Sequence, residues 1–154
     1  PWTARLPRDA EPGSRRSAHD MRLSVLNYPL EGWTDAVTMN LCMGLAVNAQ
    51  LAEMGQVSYQ PLAEAIRKLA PIEARHAELA EEGLVRLLDE GETDAIAASV
   101  AYWRPRVAAI FGAVPQDRFA QLQAWGLRKR DNAALREAWS EALDAKLAGL
   151  GLSA

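Results

Sequence analysis

The sequence lacks the residues from which most disulfide and metal sites are built. It has one cysteine, Cys42, and two histidines, His19 and His76, among 154 residues. One cysteine excludes an intramolecular disulfide framework and any multi-thiolate zinc or iron–sulfur site. Two histidines exclude a histidine-rich metal cage within one chain. Cys42 is predicted to be a small core residue, because no histidine lies near it in sequence to activate the thiol.

Positive charge is also scarce. The 17 Lys and Arg residues are outnumbered by 20 Asp and Glu residues, which gives a formal net charge of −3. This balance argues against nucleic acid as a partner, because nucleic-acid-binding modules usually carry a basic surface. No signal peptide is expected, and the sequence has no charge-free apolar run of membrane-spanning length. The chain is therefore predicted to be cytoplasmic and to have no membrane partner.

What the sequence does have is enough apolar residues for one core, and a helical pattern. Apolar residues make up 49% of a chain of single-domain length. No segment alternates in the manner of a β-strand, so we predict an all-α fold. Residues 1–20 are predicted to be an irregular N-terminal arm, since they contain proline and glycine and no apolar period. Residues 21–154 are predicted to form a single helical domain.

Glycine and proline divide this domain into five predicted helices. The first, residues 35–54, has no charged residue from 36 to 52, so it is predicted to be the buried central helix, with Thr34 as its N-cap. The second spans residues 60–88, and Pro71 is expected to kink or break it. The others are predicted over residues 93–111, over 118–129 and from a cap at Asp131 or Asn132 to about 149.

Glu73 and His76 are the one pair of residues whose spacing points to chemistry. Three residues apart on a helix, the two side chains share a face about 5–6 Å apart at Cβ, so both can reach one metal ion. Helical bundles with carboxylate-bridged di-iron centres use this Glu-x-x-His unit twice, plus a lone carboxylate from each of two other helices. The same spacing also arises by chance, and Glu73 is then a solvated residue beside a satisfied histidine.

Several short motifs surround this unit in a fixed order. They are Asn27-Tyr28-Pro29, Trp33-Thr34-Asp35, Ser58-Tyr59-Gln60-Pro61, Tyr102-Trp103-Arg104-Pro105 with Phe111-Gly112, and Trp125-Gly126-Leu127-Arg128-Lys129-Arg130-Asp131-Asn132. In this order, residues 21–152 resemble the PaaA/PaaC family of phenylacetyl-CoA epoxidase subunits. The resemblance implies a ferritin-like helical bundle and a role related to ring epoxidation of an aromatic acyl-CoA. In that family the catalytic member uses a di-iron centre, and a related metal-free subunit acts as a scaffold.

The resemblance also implies a ligand set that this sequence leaves incomplete. Glu73 and His76 match the second Glu-x-x-His unit and would be the ligands of iron. Gly44 stands where the family has a carboxylate on the central helix, and no Asp or Glu lies between Asp35 and Glu53. His19 follows Arg16 by three residues, so it is not the other unit. We therefore predict a bundle truncated or incomplete at its N-terminal helix pair, an incomplete di-iron site, and a scaffold or assembly role.

Two other functions stay open from the sequence. The chain is alternatively an active di-iron monooxygenase completed by upstream residues or a partner subunit, or an acyl-CoA-binding protein without turnover. For the last function, Arg128, Lys129 and Arg130 are predicted to bind the phosphates of coenzyme A. The same residues are equally typical of a solvated helix C-terminus, where cations are favoured by the helix dipole.

The central helix is also the predicted contact with other chains. Without a first helix pair, one side of this helix would expose apolar surface, so a homodimer or a heteromeric complex with related subunits is expected through residues 35–54. The same helix contains three amides, which are predicted to be bonded to neighbouring elements or to line the pocket. These amides are Asn40, Asn48 and Gln50.

Overall fold

The structure is a computed structural model and describes residues 6–17 and 23–152. Five α-helices and two short 3₁₀ turns account for its regular structure. The helices are α1 (Gly32–Met54), α2 (Gln60–Asp89), α3 (Thr93–Ala108), α4 (Gln116–Ala124) and α5 (Asn132–Gly149), and the turns are Ser24–Asn27 and Ala109–Phe111. No strand occurs in these described ranges, so the predicted all-α, ferritin-like bundle is confirmed.

Helix α1 is the centre of the bundle, as its charge-free sequence predicts. It contacts α2, α3 and α5, and Leu41, Cys42 and Ala46 on it are almost completely buried. Trp103 on α3 and Trp139 on α5 belong to the same core cluster. The indole of Trp139 donates a hydrogen bond to the Cys42 carbonyl oxygen at 3.0 Å. Over the described residues, no helix is both long and apolar enough to cross a membrane.

Helices α1 and α2 form an antiparallel hairpin whose axes approach closely at two glycines. A Cβ atom built on Gly44 would lie 2.9 Å from the Cβ of Ala77. A Cβ atom on Gly83 would lie 2.9 Å from Cγ1 of Val37. Both distances are below normal carbon–carbon contact, so this helix separation requires glycine at both positions.

Several predicted helix boundaries are wrong, and two of them have an identifiable local reason. Helix α1 begins at Gly32, two residues before the predicted cap at Thr34, and its N-cap Glu31 makes no side-chain capping bond. The Asp35 carboxylate instead accepts the backbone N–H of Glu31 at 2.9 Å. Helix α4 ends at Ala124 rather than at residue 129, because Gly126 takes a φ of +69° and the N–H of Leu127 bonds back to the Leu122 carbonyl oxygen at 2.8 Å.

The predicted break at Pro71 is also wrong, since α2 is continuous from Gln60 to Asp89. Pro71 removes the N–H that would bond the carbonyl of Arg67. Both residues are exposed, so water can take the place of that hydrogen bond. At the last helix the sequence prediction is confirmed, because the Asp131 side chain caps α5 by accepting the N–H of Ala134 at 2.7 Å.

Candidate functional site

A groove of about 490 Å³ lies between α1 and α2 and contains the predicted metal ligands. Its α1 side is formed by Trp33, Val37, Asn40, Met43, Gly44 and Val47, and its α2 side by Glu73, His76, Leu79, Ala80, Glu82, Gly83 and Arg86. The groove is open to solvent, since Trp33 at its edge is 72% exposed. Of the three predicted amides, Asn40 lines this groove, Gln50 lines a cavity of about 130 Å³ near the end of α1, and Asn48 is half-buried.

Glu73 and His76 lie on the same face of α2 and bond to each other. Nδ1 of His76 is 3.2 Å from Oε2 of Glu73, and the two side chains are 60% and 30% exposed respectively. The predicted proximity of the carboxylate and the imidazole is therefore confirmed. Their role as iron ligands stays a prediction, since a solvated pair of this kind needs no metal to satisfy it.

The groove does not offer the donors that a di-iron centre takes. Such a centre uses about six carboxylate and imidazole ligands from four helices. Across residues 6–17 and 23–152, no three His, Cys, Asp or Glu side chains are grouped so that they could hold a metal ion. Glu82, the other carboxylate in the groove, accepts a hydrogen bond from Arg75 at 2.8 Å. His19 lies outside the described residues, so its predicted irrelevance to the metal site is not addressed by the structure.

Gly44, where the family resemblance places a carboxylate, is a helix-packing position. Its Cα–H side faces the backbone and Cβ of Ala77, with a virtual Cβ only 3.1 Å from the Ala77 Cα. A glutamate there would have to separate α1 from α2 before its carboxylate reached the groove. The described residues of the groove therefore do not supply a ligand set that fits a di-iron centre.

The Trp-x-Asp and Tyr-Trp-Arg-Pro motifs meet in a buried polar cluster on the other side of α1. Asp35 is 3% exposed. Its carboxylate accepts hydrogen bonds from the Ser99 hydroxyl and the Trp103 indole, both at 2.8 Å. Although burial raises the pKa of Asp35, these bonds and an ion pair with Arg8 outweigh it and hold that pKa below its usual value. The hydrogen bonds of Ser99 and Trp103 to Asp35 therefore fix α3 against α1.

Arg8 in the N-terminal arm is a residue that the sequence reasoning missed. Its guanidinium donates to the two Asp35 carboxylate oxygens at 2.9 and 3.1 Å and stacks 3.8 Å from the centre of the Tyr102 ring. On the opposite side of that ring system, Arg106 lies 3.6 Å from the Tyr102 centre and donates to the carbonyl oxygens of Arg8 and Ala10. Residues 6–17 have no helix, yet these contacts attach them to the core.

The predicted anion-binding residues surround a second buried carboxylate, Glu53. Glu53 is 3% exposed and accepts the backbone N–H groups of Lys129 and Arg130 at 2.5 and 3.0 Å. The side chain of Arg130 lies 3.5 Å from it, Lys129 Nζ donates to Gln56, and Arg128 donates to the Asn132 side chain. Each of the three cations thus has a partner within the chain, and binding of coenzyme A by them stays a prediction. A carboxylate in the last turn of a helix is disfavoured by the helix dipole. The position of Glu53 in the last turn of α1 is therefore the sequence signal for this site.

Both buried carboxylates make stability depend on acid pH. Burial raises the pKa of Glu53, but the N–H groups of Lys129 and Arg130 and the Arg130 side chain lower it more, so the net shift is downward from 4.5. A lowered carboxyl pKa stabilises the fold above the unfolded-state value, and this contribution is lost as the pH falls through the folded-state value. We expect the urea midpoint to be flat from pH 7 to about 5 and to fall below that. In Glu53→Gln we expect a lower urea midpoint at pH 7 and a smaller fall of that midpoint with decreasing pH. The control Glu64→Gln changes an exposed residue and should follow the wild type. The same dependence of the midpoint on pH in all three proteins would contradict the assignment.

Two further motifs also hold the fold together. Ser58 donates its hydroxyl to the Trp125 carbonyl oxygen at 2.6 Å and its N–H to that of Gly126 at 2.8 Å, which joins the α1–α2 connection to the end of α4.

Cys42 is fully buried, and burial raises the pKa of its thiol to about 12, as expected of a core residue. The tryptophans of the described residues divide into two groups, since Trp103 and Trp139 are buried while Trp33 and Trp125 are exposed.

The chain matches a model of a known protein family. The family model described as "Phenylacetic acid catabolic protein" matches residues 8–154, which is nearly the whole chain and includes the arm from Arg8 onward. No curated protein sequence matches the chain.

Proposed function

We propose that this chain, which belongs to the family of phenylacetic acid catabolic proteins, is a scaffold or assembly subunit of a system that epoxidises the ring of an aromatic acyl-CoA. In this proposal the chain has no di-iron centre of its own. The observation that carries it is the close packing of Gly44 against Ala77. The family ligand set requires a carboxylate at the position of Gly44, and in this chain that position is used for helix packing instead.

The remaining donors support the same conclusion. Glu73 and His76 together supply two ligands, whereas a catalytic metal site usually takes three or more from the protein. They already bond to each other at 3.2 Å on a solvated helix face. A metal bound by this pair alone would be held weakly and would lack a bridging carboxylate to a second metal.

The motif residues of this chain support a structural role. Asp35 with Trp103 fixes α3 to α1, Ser58 with Trp125 fixes α4 to the α1–α2 connection, and Glu53 orders the loop before α5. Each motif therefore contributes to the bundle through buried or backbone hydrogen bonds. A protein that keeps these contacts and lacks the ligand set retains the shape of the family without its oxygen chemistry.

One observation favours a second candidate, an active monooxygenase completed by another chain. Glu73 and His76 line a groove that is open to solvent, so donors from a partner subunit or from upstream residues could approach them. The two candidates differ in iron content, since completion requires that Glu73 and His76 hold iron in the assembled protein.

Metal analysis separates these candidates. For protein purified from iron-supplemented cells, we expect the same trace iron per chain in the wild type and in the Glu73→Ala/His76→Ala double variant. The matched control is Arg75→Ala/Glu78→Ala, which removes another exposed pair three residues apart on the same helix. Near-stoichiometric iron in the wild type and in the control, lost only from Glu73→Ala/His76→Ala, would overturn the scaffold proposal.

A further inference from the structure

Helix α2 has two apolar faces, of which only one is packed against the core within the described part of the chain. The face toward the core is formed by Ala63, Ile66, Ala77, Ala80, Leu84 and Leu87, half of which are alanine. The second face, here called the α2 stripe, consists of Leu62, Ala65, Leu69, Ile72, His76 and Leu79. The four large apolar residues of the α2 stripe are between 37% and 55% exposed.

The α2 stripe has the period of a buried helix face but is exposed in the described part of the chain. Residues such as Leu69, Ile72 and Leu79 recur at helical steps, as core residues do, yet they face solvent. By contrast, α1 is covered along most of its length by α2, α3 and α5, and of its large apolar side chains only Trp33 is exposed. A contact with another chain, expected from the sequence on residues 35–54, is therefore better provided by α2 and the exposed Trp33.

The spacing of the α2 stripe is that of a coiled-coil seam. Its members follow one another at alternating steps of three and four residues, which is the a/d pattern of a heptad repeat. Over residues 62–79 this seam is about 26 Å long. A continuous exposed apolar seam of this length marks a contact with another helix.

The charges of α2 indicate which helix that is. Residues 60–75 carry a net charge of +1, through Arg67, Lys68 and Arg75 against Glu64 and Glu73. Residues 76–89 carry a net charge of −3, through Glu78, Glu81, Glu82 and Asp89 against Arg86. The same helix turned end to end is thus complementary to itself, whereas a parallel copy would place like charge against like charge.

We propose that the α2 stripe binds the α2 stripe of a second copy of this chain, antiparallel about a two-fold axis. Pairing the a and d positions sets Leu69 opposite Leu79 and Ile72 opposite His76 of the other copy. Lys68 then lies near Glu82 of the other copy on both sides of the axis. The Arg75 residues meet near the axis, and each is already neutralised by Glu78 and Glu82 at 3.1 and 2.8 Å.

The dimer gives the proposed scaffold role a partner, and only this link between the two rests on the proposed function. The two can fail separately. Iron bound through Glu73 and His76 would remove the scaffold role and leave the dimer standing, whereas a monomeric chain without iron would do the reverse.

Self-association is the first test. In sedimentation equilibrium from 1 to 100 µM, we expect the wild type to be a dimer and Leu69→Glu/Leu79→Glu to be a monomer with unchanged helical circular dichroism. The control Leu23→Glu changes a leucine of similar exposure (45%) away from α2 and remains a dimer. A monomeric wild type at 100 µM, or a double variant that still dimerises, would overturn the proposal.

Cross-linking tests the orientation. Because Cys42 is fully buried, cysteines introduced on α2 are the accessible thiols within the described residues. In the antiparallel dimer Leu62 lies opposite Arg86 of the other copy, and the two Leu62 residues are about 36 Å apart along the helix. We expect an oxidised mixture of Leu62→Cys and Arg86→Cys chains to form the mixed disulfide, with little disulfide from either alone. Efficient disulfide formation by Leu62→Cys alone would contradict the antiparallel arrangement.

Discussion

Replacement of Asp35 by alanine is expected to lower the free energy of unfolding by about 3–5 kcal/mol. The variant leaves the Ser99 hydroxyl and the Trp103 indole N–H without an acceptor in places where they are 6% and 0% exposed. Each unsatisfied buried donor costs about 1–3 kcal/mol. Arg8, which is 27% exposed and also pairs with Glu31, contributes less because solvent screens it.

Two variants make the Asp35 measurement specific. Asp35→Asn keeps an acceptor oxygen for Trp103 and should lose less stability than Asp35→Ala. Asp144→Ala removes an ion pair with Arg104 in which the carboxylate is 43% exposed, so urea unfolding should show a loss of about 1 kcal/mol or less. Similar losses for Asp35→Ala and Asp144→Ala would contradict a central role for the buried cluster.

Introducing a glutamate at Gly44 is expected to destabilise the chain rather than to restore a metal ligand. Even the Cβ of that residue would lie 2.9 Å from the Ala77 Cβ, so α1 and α2 must separate. Overpacking of this kind costs about 1–3 kcal/mol, and the remaining atoms of a glutamate add to that cost. We expect a lower urea midpoint for Gly44→Ala, a lower one still for Gly44→Glu, and no added iron in either.

The Gly44 prediction has a rescue and a control. Ala77→Gly removes the opposing Cβ, so the Gly44→Ala/Ala77→Gly double variant should lose less stability than the two single changes would add up to. Gly149→Ala, at a helical position with no atom within 4 Å of the new Cβ, should leave stability unchanged or raise it slightly. Strict additivity at residues 44 and 77 would show that the close helix approach carries no energetic weight.

The helices could be predicted from sequence wherever their signals are local. The absence of charge between residues 36 and 52 identified the buried central helix, and Asp131 identified the cap of α5. The face that α2 buries could not be predicted in this way. Ala77 on the covered face allows close approach of α1 while Leu69 and Leu79 stay exposed, and the packing at Gly44 and Gly83 decides which face is covered.

The candidate site was predictable in part for the same reason. Glu73 and His76 meet because their spacing is within one helix, whereas Arg8 and Asp35 meet across 27 residues with no periodic signal between them. The basic run at Arg128–Arg130 is visible in sequence, but its engagement with Glu53 depends on a contact 76 residues away. Long-range ion pairs of this kind depend on the complete fold.

The attachment of the N-terminal arm has a consequence for the order in which the chain folds. Arg8 is synthesised well before Arg106, whose side chain holds its carbonyl oxygen and comes 98 residues later. The α1–α2 hairpin has only local contacts to close and can form while the rest is still being made. Docking of the arm is therefore completed late in folding, because a nascent chain that ends before α3 offers Arg8 the Asp35 carboxylate but not the contacts with Tyr102 and Arg106.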